Sequence, residues 1–459
     1  MIIGTLMCFN VLLQCLIVLI EYSFKTVGFI FNLISKIVKH IKNNKKERID
    51  KDYNNFVYAY KTTPKDDHKN MYMENKTINN IIEDNTIKEE TKKTYNYPSV
   101  DLLNDSKETI FNDYINIEEI ENILKELKIN IVSKEVKESR IAINYIFKYD
   151  NSIIKSYTLS TLENSLKCAF GDNIRLNKYY APKTLAIEYI KTDESRYFSL
   201  KEVINDDNNF ELPLYLGINT DNEKSALDLA KAPHILIAGE TGSGKSVCLA
   251  SIITSLVYKK TPEELQLMLI DKKNELSIFN ELPHLIDDNS LNNDDDIISA
   301  LRNLEGELRE RNNKITKKGA RNIQEYNKRV RNKLPYIVLI IDELQDLLSR
   351  DIKKEAERII NTIASLGRSA GIHIIAATQR PSAKVLTGEL KANLPTKIAL
   401  SVANNTDSRV ILDHKGAEDL IGNGDALLKR KESVKYEHIQ VPYVTTEEIE
   451  RIINYINRG

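Results

Sequence analysis

Tryptophan is absent from this chain of 459 residues, and cysteine occurs only at Cys8, Cys15, Cys168 and Cys248. The four thiols are scattered, with no metal-ligand spacing and no disulfide framework. That excludes a zinc-stapled module and a cross-linked secreted scaffold, and it fits a reducing cytoplasm. Charge of one sign is lacking too: 65 Lys and Arg stand against 66 Asp and Glu, a formal net charge of -1. Nothing global announces a nucleic-acid partner, so any such contact must come from local basic patches. The missing tryptophan goes with abundant Asn, Lys and Ile, a base-composition signature rather than a functional one. What the chain does have is apolar material. Hydrophobic residues make up 42%, enough for a sizeable core, and the length suits a membrane or linker part plus two or three folded domains.

Residues 2–20 carry no charged side chain and are mostly apolar. At ~1.5 Å rise per residue such a run crosses ~30 Å of hydrocarbon. A buried helix and a cleaved signal peptide are the alternatives, but neither a basic start nor a small-residue cleavage site is evident. A shorter apolar run, Val27 to Val38, follows across Glu21 and Lys25 and reads as a second span, an extension of the first, or an interfacial helix. Lys36, Lys39, Lys42, Lys45, Lys46 and Arg48 then mark the cytoplasmic side. The expectation is a cell-membrane anchor over residues 1–42, with one span or two and the remainder of the chain in the cytoplasm. Residues 43–96 are polar and nearly free of apolar periodicity, a flexible linker.

From about residue 98 the composition turns mixed. Ile117 to Leu127 is helical in pattern, while Ile141–Lys148, Thr184–Ile190 and Tyr197–Leu200 read as strands. Beyond Pro233, apolar runs alternate with helical segments. Strands are expected at His234–Ala238, Leu265–Ile270, Tyr336–Ile341, His373–Thr378, Lys397–Val402 and Asp425–Leu428. That alternation predicts a mostly parallel sheet covered by helices.

Gly239-Glu240-Thr241-Gly242-Ser243-Gly244-Lys245-Ser246 fits G-x-x-x-x-G-K-[ST], between a strand and a helix expected to start near Lys245. The glycines let backbone N–H groups wrap phosphates, and the helix N-terminus adds positive potential. Lys245 is expected to reach the β- and γ-phosphates of ATP and Ser246 to ligate Mg²⁺; Val247 closes the nucleotide-binding stretch. The run Tyr336–Ile341 ends in Asp342 and Glu343. Asp342 suits the Mg²⁺ shell, and Glu343 suits polarising the attacking water as general base. Gln379, at the end of a neighbouring strand, is the candidate γ-phosphate sensor; a surface turn before Pro381 is the plainer reading.

The motifs in order resemble the FtsK/SpoIIIE family of DNA translocases. They run from Pro98-Ser99-Val100-Asp101-Leu102-Leu103 and Leu229–Gly239 through Glu275-Leu276-Ser277, Leu282-Pro283-His284-Leu285, Arg321-Asn322-Ile323 and Glu325-Tyr326-Asn327. Leu366–His373, Thr378-Gln379-Arg380-Pro381-Ser382, Lys391–Lys397, Asp407-Ser408-Arg409 and Gly422-Asn423-Gly424-Asp425 complete the series. The resemblance implies an α/β protein: a RecA-like P-loop NTPase domain over 216–459 with a smaller α+β subdomain over 97–215, behind the transmembrane helix and linker. It also implies an ATP hydrolase, a homo-hexameric ring that encircles double-stranded DNA and pumps it.

Departures are Glu138-Ser139-Arg140, where the family carries a Gly-Pro strand, Lys272 in place of proline, and the missing aromatics near Leu304 and Asn312. The helix at Thr446–Ile456 is expected to close the chain without a polarity-reading winged-helix domain, and the membrane part is shorter than the family's usual four spans.

Lys391 and Lys397 lie in the segment matching the family's channel-facing loop and are the expected DNA-phosphate contacts, grip without base readout. Arg368, Arg380 and Arg409 are candidates for an arginine supplied to a neighbouring subunit's site. The minimal anchor favours a conjugative plasmid or mobile element, with relaxase or mating-channel partners, over a chromosome-partitioning pump. The reading from another class is a protein-secretion ATPase, though such chains usually carry several ATPase modules and this one has a single P-loop.

Overall fold

A computed structural model describes residues 95–458 apart from 108–110, 151–153, 205–208, 288, 349–351, 432 and 434, and omits the side chains of 178 and 179. The expected anchor, and the linker up to residue 94, lie outside the described residues. Among the described residues no helix is long and apolar enough to cross a membrane.

The first folded part is built on α1 (Ile117–Glu126), β1 (Ile131–Glu138), β2 (Ala142–Tyr149), α2 (Ser156–Phe170), β3 (Ile174–Ala181) and β4 (Thr184–Ile190). Its four strands lie in the order β1-β2-β4-β3, every pair antiparallel. Alternation sorts the faces of β4. Leu185, Ile187 and Tyr189 join Ile120 and Leu124 of α1 and Leu162 and Leu166 of α2 in one core. The opposite face carries Glu188 and, on β2, Asn144, whose side-chain amide donates to the Thr220 carbonyl at 2.5 Å. A small α+β unit thus lies with its polar-studded face toward the larger sheet.

That larger part holds α3 (Lys201–Ile204), β5 (Pro213–Asn219), β6 (Lys224–Asp228), β7 (His234–Ala238), α4 (Lys245–Lys259), β8 (Leu265–Ile270), α5 (Asp294–Lys317), α6 (Ile323–Arg329), β9 (Tyr336–Ile341), α7 (Leu344–Leu348), α8 (Lys353–Ala370) and β10 (Ile372–Thr378). It continues with α9 (Gly388–Asn393), β11 (Thr396–Leu400), α10 (Asn405–Leu412), β12 (Asp425–Lys429), β13 (Tyr436–Gln440) and α11 (Thr446–Asn457). The strand order is β6-β5-β13-β12-β11-β7-β10-β9-β8. Only the half from β11 to β8 is parallel; β12, β13, β5 and β6 extend it antiparallel. The expectation of a mostly parallel sheet is corrected accordingly. Helical crossovers join the parallel strands, whereas β5–β6 and β12–β13 are joined by short turns that leave no room for a crossover. Asn222, at φ +63°, makes the first of these turns.

Tyr197–Leu200 is not a strand either. It is an extended segment with one parallel bridge, Ser199 to Tyr443, and its apolar content is core-seeking: Phe198 and Leu200 are buried. The other expected strands appear within a residue or two of their places. Both faces of the large sheet are covered. One carries α4 and α11 through Leu249, Ile252, Leu256, Ile449 and Ile452; the other carries α5 and α8 through Leu301, Leu308, Ile359 and Ile363. Most of helix α4 is buried, which explains why its apolar residues are not confined to one stripe.

Candidate active site

Strand order sets the site. β7, which feeds the phosphate loop, lies between β11 and β10, and β10 separates it from β9. The ends of β7, β10 and β9 therefore bring the phosphate loop, Thr378–Gln379 and Asp342–Glu343 to one edge.

The loop Gly239–Ser246 turns from β7 into α4 through two left-handed glycines, Gly242 at φ +83° and Gly244 at φ +99°. At Gly244 there is also no room: a Cβ would come within 2.5 Å of the Gly424 backbone nitrogen. Asn423 and Gly424 back the loop directly, their N–H groups donating to the carbonyls of Gly242 and Ser243 at 3.4 and 2.8 Å. Glu240 is exposed but tethered, its N–H donating to the Ser401 carbonyl at 2.9 Å; Thr241 is exposed and Val247 half-buried in the first turn of α4. Lys245 is buried. Its ammonium donates to the Asp342 carbonyl at 3.0 Å and, in a shorter contact, to the Asp342 carboxylate. Ser246 donates its hydroxyl to Glu275 Oε2 at 2.6 Å.

Asp342 is fully buried, and burial pushes its carboxyl above the usual carboxylate range against the opposing pull of Lys245. Its Oδ2 has no hydrogen-bond partner among the described residues, nor has the buried Ser243 hydroxyl in the loop. Two unpartnered buried oxygens beside a left-handed loop of N–H donors, a lysine and a serine are the donor set that a Mg²⁺–nucleotide needs. The residues therefore fit that pair. Glu343 is held from both sides: Oε1 accepts from the Thr378 hydroxyl at 2.7 Å and the Gln345 N–H at 3.2 Å, and Oε2 from the Gln379 N–H at 2.9 Å. Gln379 is half-buried in the bend that follows β10. Its amide oxygen accepts from Lys273 Nζ at 3.4 Å, and its NH₂ faces Glu275 Oε1 at 3.5 Å. The structure thus joins Lys245, Ser246, Asp342, Glu343 and Gln379, and adds Thr378, Lys273 and Glu275. Of these three, Thr378 and Glu275 stood in quoted motifs without a role of their own, and Lys273 stood in none. Lys272, the departure from proline, pairs with Asp294 at the start of α5 and ties down the loop after β8.

The other expected residues lie apart. Arg380 is exposed at the same edge, just past Thr378. Arg368 is exposed in the last turn of α8, at the opposite edge where β10 and β7 begin. Arg409 is exposed in the last turn of α10, which Asp413 caps. Lys391 and Lys397 converge on that aspartate: its carboxylate accepts from them at 2.8 and 3.0 Å, with Lys429 at 3.8 Å. The Lys397 ammonium is buried, which lowers its pKa, and is spent on this partner. Burial works against the Asp413 carboxylate, yet the two lysines hold it down at about 2. Lys391 and Lys397, the expected DNA-phosphate contacts, thus form with Lys429 a lysine cluster around one carboxylate.

Behind the phosphate loop the two folded parts meet through buried ions, of which only Asp425 stood in a quoted motif. Asp425, on β12, is fully buried. It pairs with Arg196 at 3.1 Å, Arg175 of β3 at 3.2 Å and His438 of β13 at 2.6 Å. Burial opposes its charge, but these partners, His438 first, hold its carboxyl far below the usual range. His438 also reaches Glu188 of β4 at 3.5 Å. The Gln440 amide accepts from Arg196 Nε at 2.8 Å and donates to the Asn423 carbonyl at 2.8 Å.

Comparison with known proteins follows the same lines. The chain is 35% identical over 392 residues to DNA translocase SpoIIIE of Bacillus subtilis (strain 168), covering 81% of this chain and 49% of that one, so it spans about half the length of that relative. Among solved structures it is similar to the pCW3 conjugation coupling protein TcpA, at 25% identity and TM-score 0.53 over 74% of this chain and 98% of that one. The cytoplasmic domain of the Thermomonospora curvata Type VII secretion ATPase EccC shares the fold, at 23% identity and TM-score 0.50 over 57% of this chain and 34% of that one. The family model matches residues 199–383, which bracket every group from the phosphate loop through Asp342 and Glu343 to Gln379, and with 35% identity to SpoIIIE extending over 81% of its length the chain belongs to the FtsK/SpoIIIE family.

Proposed function

We propose that this chain is an ATP-hydrolysing motor that moves double-stranded DNA. The observation that carries the reading is the meeting of Lys245, Asp342 and Glu343 at one sheet edge, with Glu343 held by Thr378 and Gln379. The loop N–H groups and Lys245 would hold the triphosphate; Ser246 and the free oxygen of Asp342 would hold Mg²⁺, which when bound neutralises phosphate charge. Glu343 takes the proton of the attacking water. Gln379, bonded between Glu343 and Glu275, is suited to sensing the γ-phosphate.

DNA as the moved substrate draws on the relatives, named DNA translocases, and on the coupling-protein neighbour, solved with ATPγS. A homo-hexameric ring, anchorage of the motor to the cytoplasmic face of the cell membrane through residues 1–42, and division of the motor near residue 215 belong to the same proposal. So does plasmid or conjugative-element DNA as cargo, with a relaxase or mating-channel protein as partner. Arg380 follows its own Gln379, so Arg368 and Arg409, toward the opposite edge, are better suited to serve a neighbouring subunit. The secretion reading draws on the EccC likeness, which extends to the fold alone.

The test is the ATPase rate of the purified chain at low salt with and without duplex DNA. Duplex is expected to stimulate it, and Glu343→Gln to cut hydrolysis by about 10²–10⁴ while nucleotide binding persists. Wild-type hydrolysis indifferent to duplex would sink the translocase reading.

A further inference from the structure

The loop after β8 brings charge into the site from a side that neither the phosphate loop nor β9 covers. Asp271 follows that strand directly and is fully buried, and its carboxylate accepts from the N–H groups of Lys273, Glu275 and Leu276 at 3.2, 3.1 and 2.7 Å. Three bonds on one buried carboxylate fix the turn, and Asn274 completes it at φ +58°. Lys272, paired with Asp294, holds its outer side. The two side chains left to point inward are Lys273 and Glu275, and Glu275 goes to Ser246.

Lys273 goes to the opposite end of the site. Its ammonium lies 3.7 Å from Glu343 Oε2, 3.4 Å from Gln379 Oε1 and 4.0 Å from Asp346. Among the described residues the hydrogen-bond donors to Glu343 are neutral: the Thr378 hydroxyl and the N–H groups of Gln345 and Gln379. Among the described residues Lys273 is the one cation paired with that carboxylate. The Lys273 side chain is 38% exposed, whereas the Glu343 side chain is only 5% exposed. An ion pair so open to solvent is screened and contributes little to folding. Its effect falls on direction, because it draws Glu343 Oε2 and the Gln379 amide toward one point.

We propose that Lys273 is a positioning residue for hydrolysis: its ammonium holds the Glu343 carboxylate and the Gln379 side chain in a single arrangement. This rests on the reading of Glu343 as the base. The water proton passes to Glu343, the water oxygen bonds to the γ-phosphorus, and the bond to the bridging oxygen breaks with its electron pair leaving on ADP. Lys273 exchanges no atom in that step. It orients the acceptor of the proton, and misplacement of a reacting group by about 1 Å costs on the order of 100-fold in rate.

Lys273→Met and Lys273→Arg in the full chain, each alone and with Glu343→Gln, test this. Single-turnover hydrolysis, KM for ATP, the Kd of a fluorescent ATP analogue and Tm are the readouts. Lys273→Met is expected to lower the hydrolysis rate about 10- to 100-fold. KM, Kd and Tm should stay in place, and Lys273→Arg should recover most of the rate. With Glu343→Gln present, Lys273→Met is expected to remove nothing further. A multiplicative loss in that background would overturn the proposal, because Lys273 would then act independently of Glu343. Weaker binding of the analogue would overturn it in favour of direct phosphate contact, and a lowered Tm in favour of a structural role. A wild-type chain that binds the analogue but does not hydrolyse ATP would instead retire Glu343 as base, and Lys273 with it.

Discussion

Asp425→Asn is a severe test of how the two folded parts are joined. The carboxylate is fully buried and meets two guanidiniums and an imidazole, while its Oδ2 also accepts from the Ile421 N–H at 3.0 Å. An amide of the same shape removes one negative charge from among Arg175, Arg196 and His438 and leaves Glu188 as the remaining carboxylate of the cluster. Its oxygen can turn to one guanidinium only by turning its NH₂ toward another donor. Arg196, with 0% of its side chain exposed, cannot recover water. Breaking a buried pair from one side costs about 3–5 kcal/mol, and that is the expected loss in urea titrations followed by circular dichroism. The turn Ile421–Asp425 backs the phosphate loop, so nucleotide affinity should weaken with it. Adding Arg196→Met should recover part of the loss, with a coupling of at least about 1 kcal/mol. A loss under about 1 kcal/mol for Asp425→Asn, or strict additivity of the pair, would refute the view of this cluster as a dry, interdependent unit.

Two further outcomes are expected. Burial holds His234 at about 3 and His284 and His373 at about 4, all below the ordinary value near 6.5. These groups are neutral when folded and take up protons on unfolding, so their stability contribution is present above pH ~6.5 and lost as pH falls toward 4, at up to about 4 kcal/mol per pH unit when all three titrate. His438 shifts the other way and does not add to this loss. A urea midpoint flat between pH 6.5 and 4.5 would contradict the assignment. At the lysine cluster, Asp413→Asn should raise affinity for duplex and steepen the log–log salt dependence by about 0.9 for each lysine released to a phosphate. An unchanged slope would remove Lys391 and Lys397 from the DNA path.

The legible part of the fold is its helical crossovers. His234–Ala238, Leu265–Ile270 and Tyr336–Ile341 are unbroken apolar runs because both faces of their sheet are covered, so a run of that kind marks its own ends. β1 gave no such signal: its sequence IVSKEVKE is exposed along nearly its whole length at a sheet edge, so no buried face imposes an alternation. Tyr197–Leu200 misled for the opposite reason, since a core-seeking segment needs apolar residues whether or not it finds partners. In the site, Lys245, Ser246, Asp342 and Glu343 are legible because phosphate and metal chemistry demand those residue types at a turn after a strand. Lys273 is one of 65 basic residues, and only the pairing of β8 with β9 shows that it meets Glu343.

Arg196 and Asp425 show why the remainder was hidden. Charges in a sequence are read as solvated by default, because burying one unpaired costs far more than a typical contact returns. Here each buried ion is acceptable only through the others: Arg175 and Glu188 come from the smaller sheet, Asp425 and His438 from the larger, and Arg196 from the turn between them. None could be buried in its own part alone. The same condition reaches the phosphate loop, because Gln440 carries the Arg196 contact to the Asn423 carbonyl, while the neighbouring Gly424 N–H donates to Ser243. The rear wall of the nucleotide cradle is therefore completed by arginine held from outside the P-loop sheet. For that reason the 3.1 Å pair Arg196–Asp425, distant in sequence from every nucleotide motif but Gly422–Asp425, belongs with the site in any account of its stability.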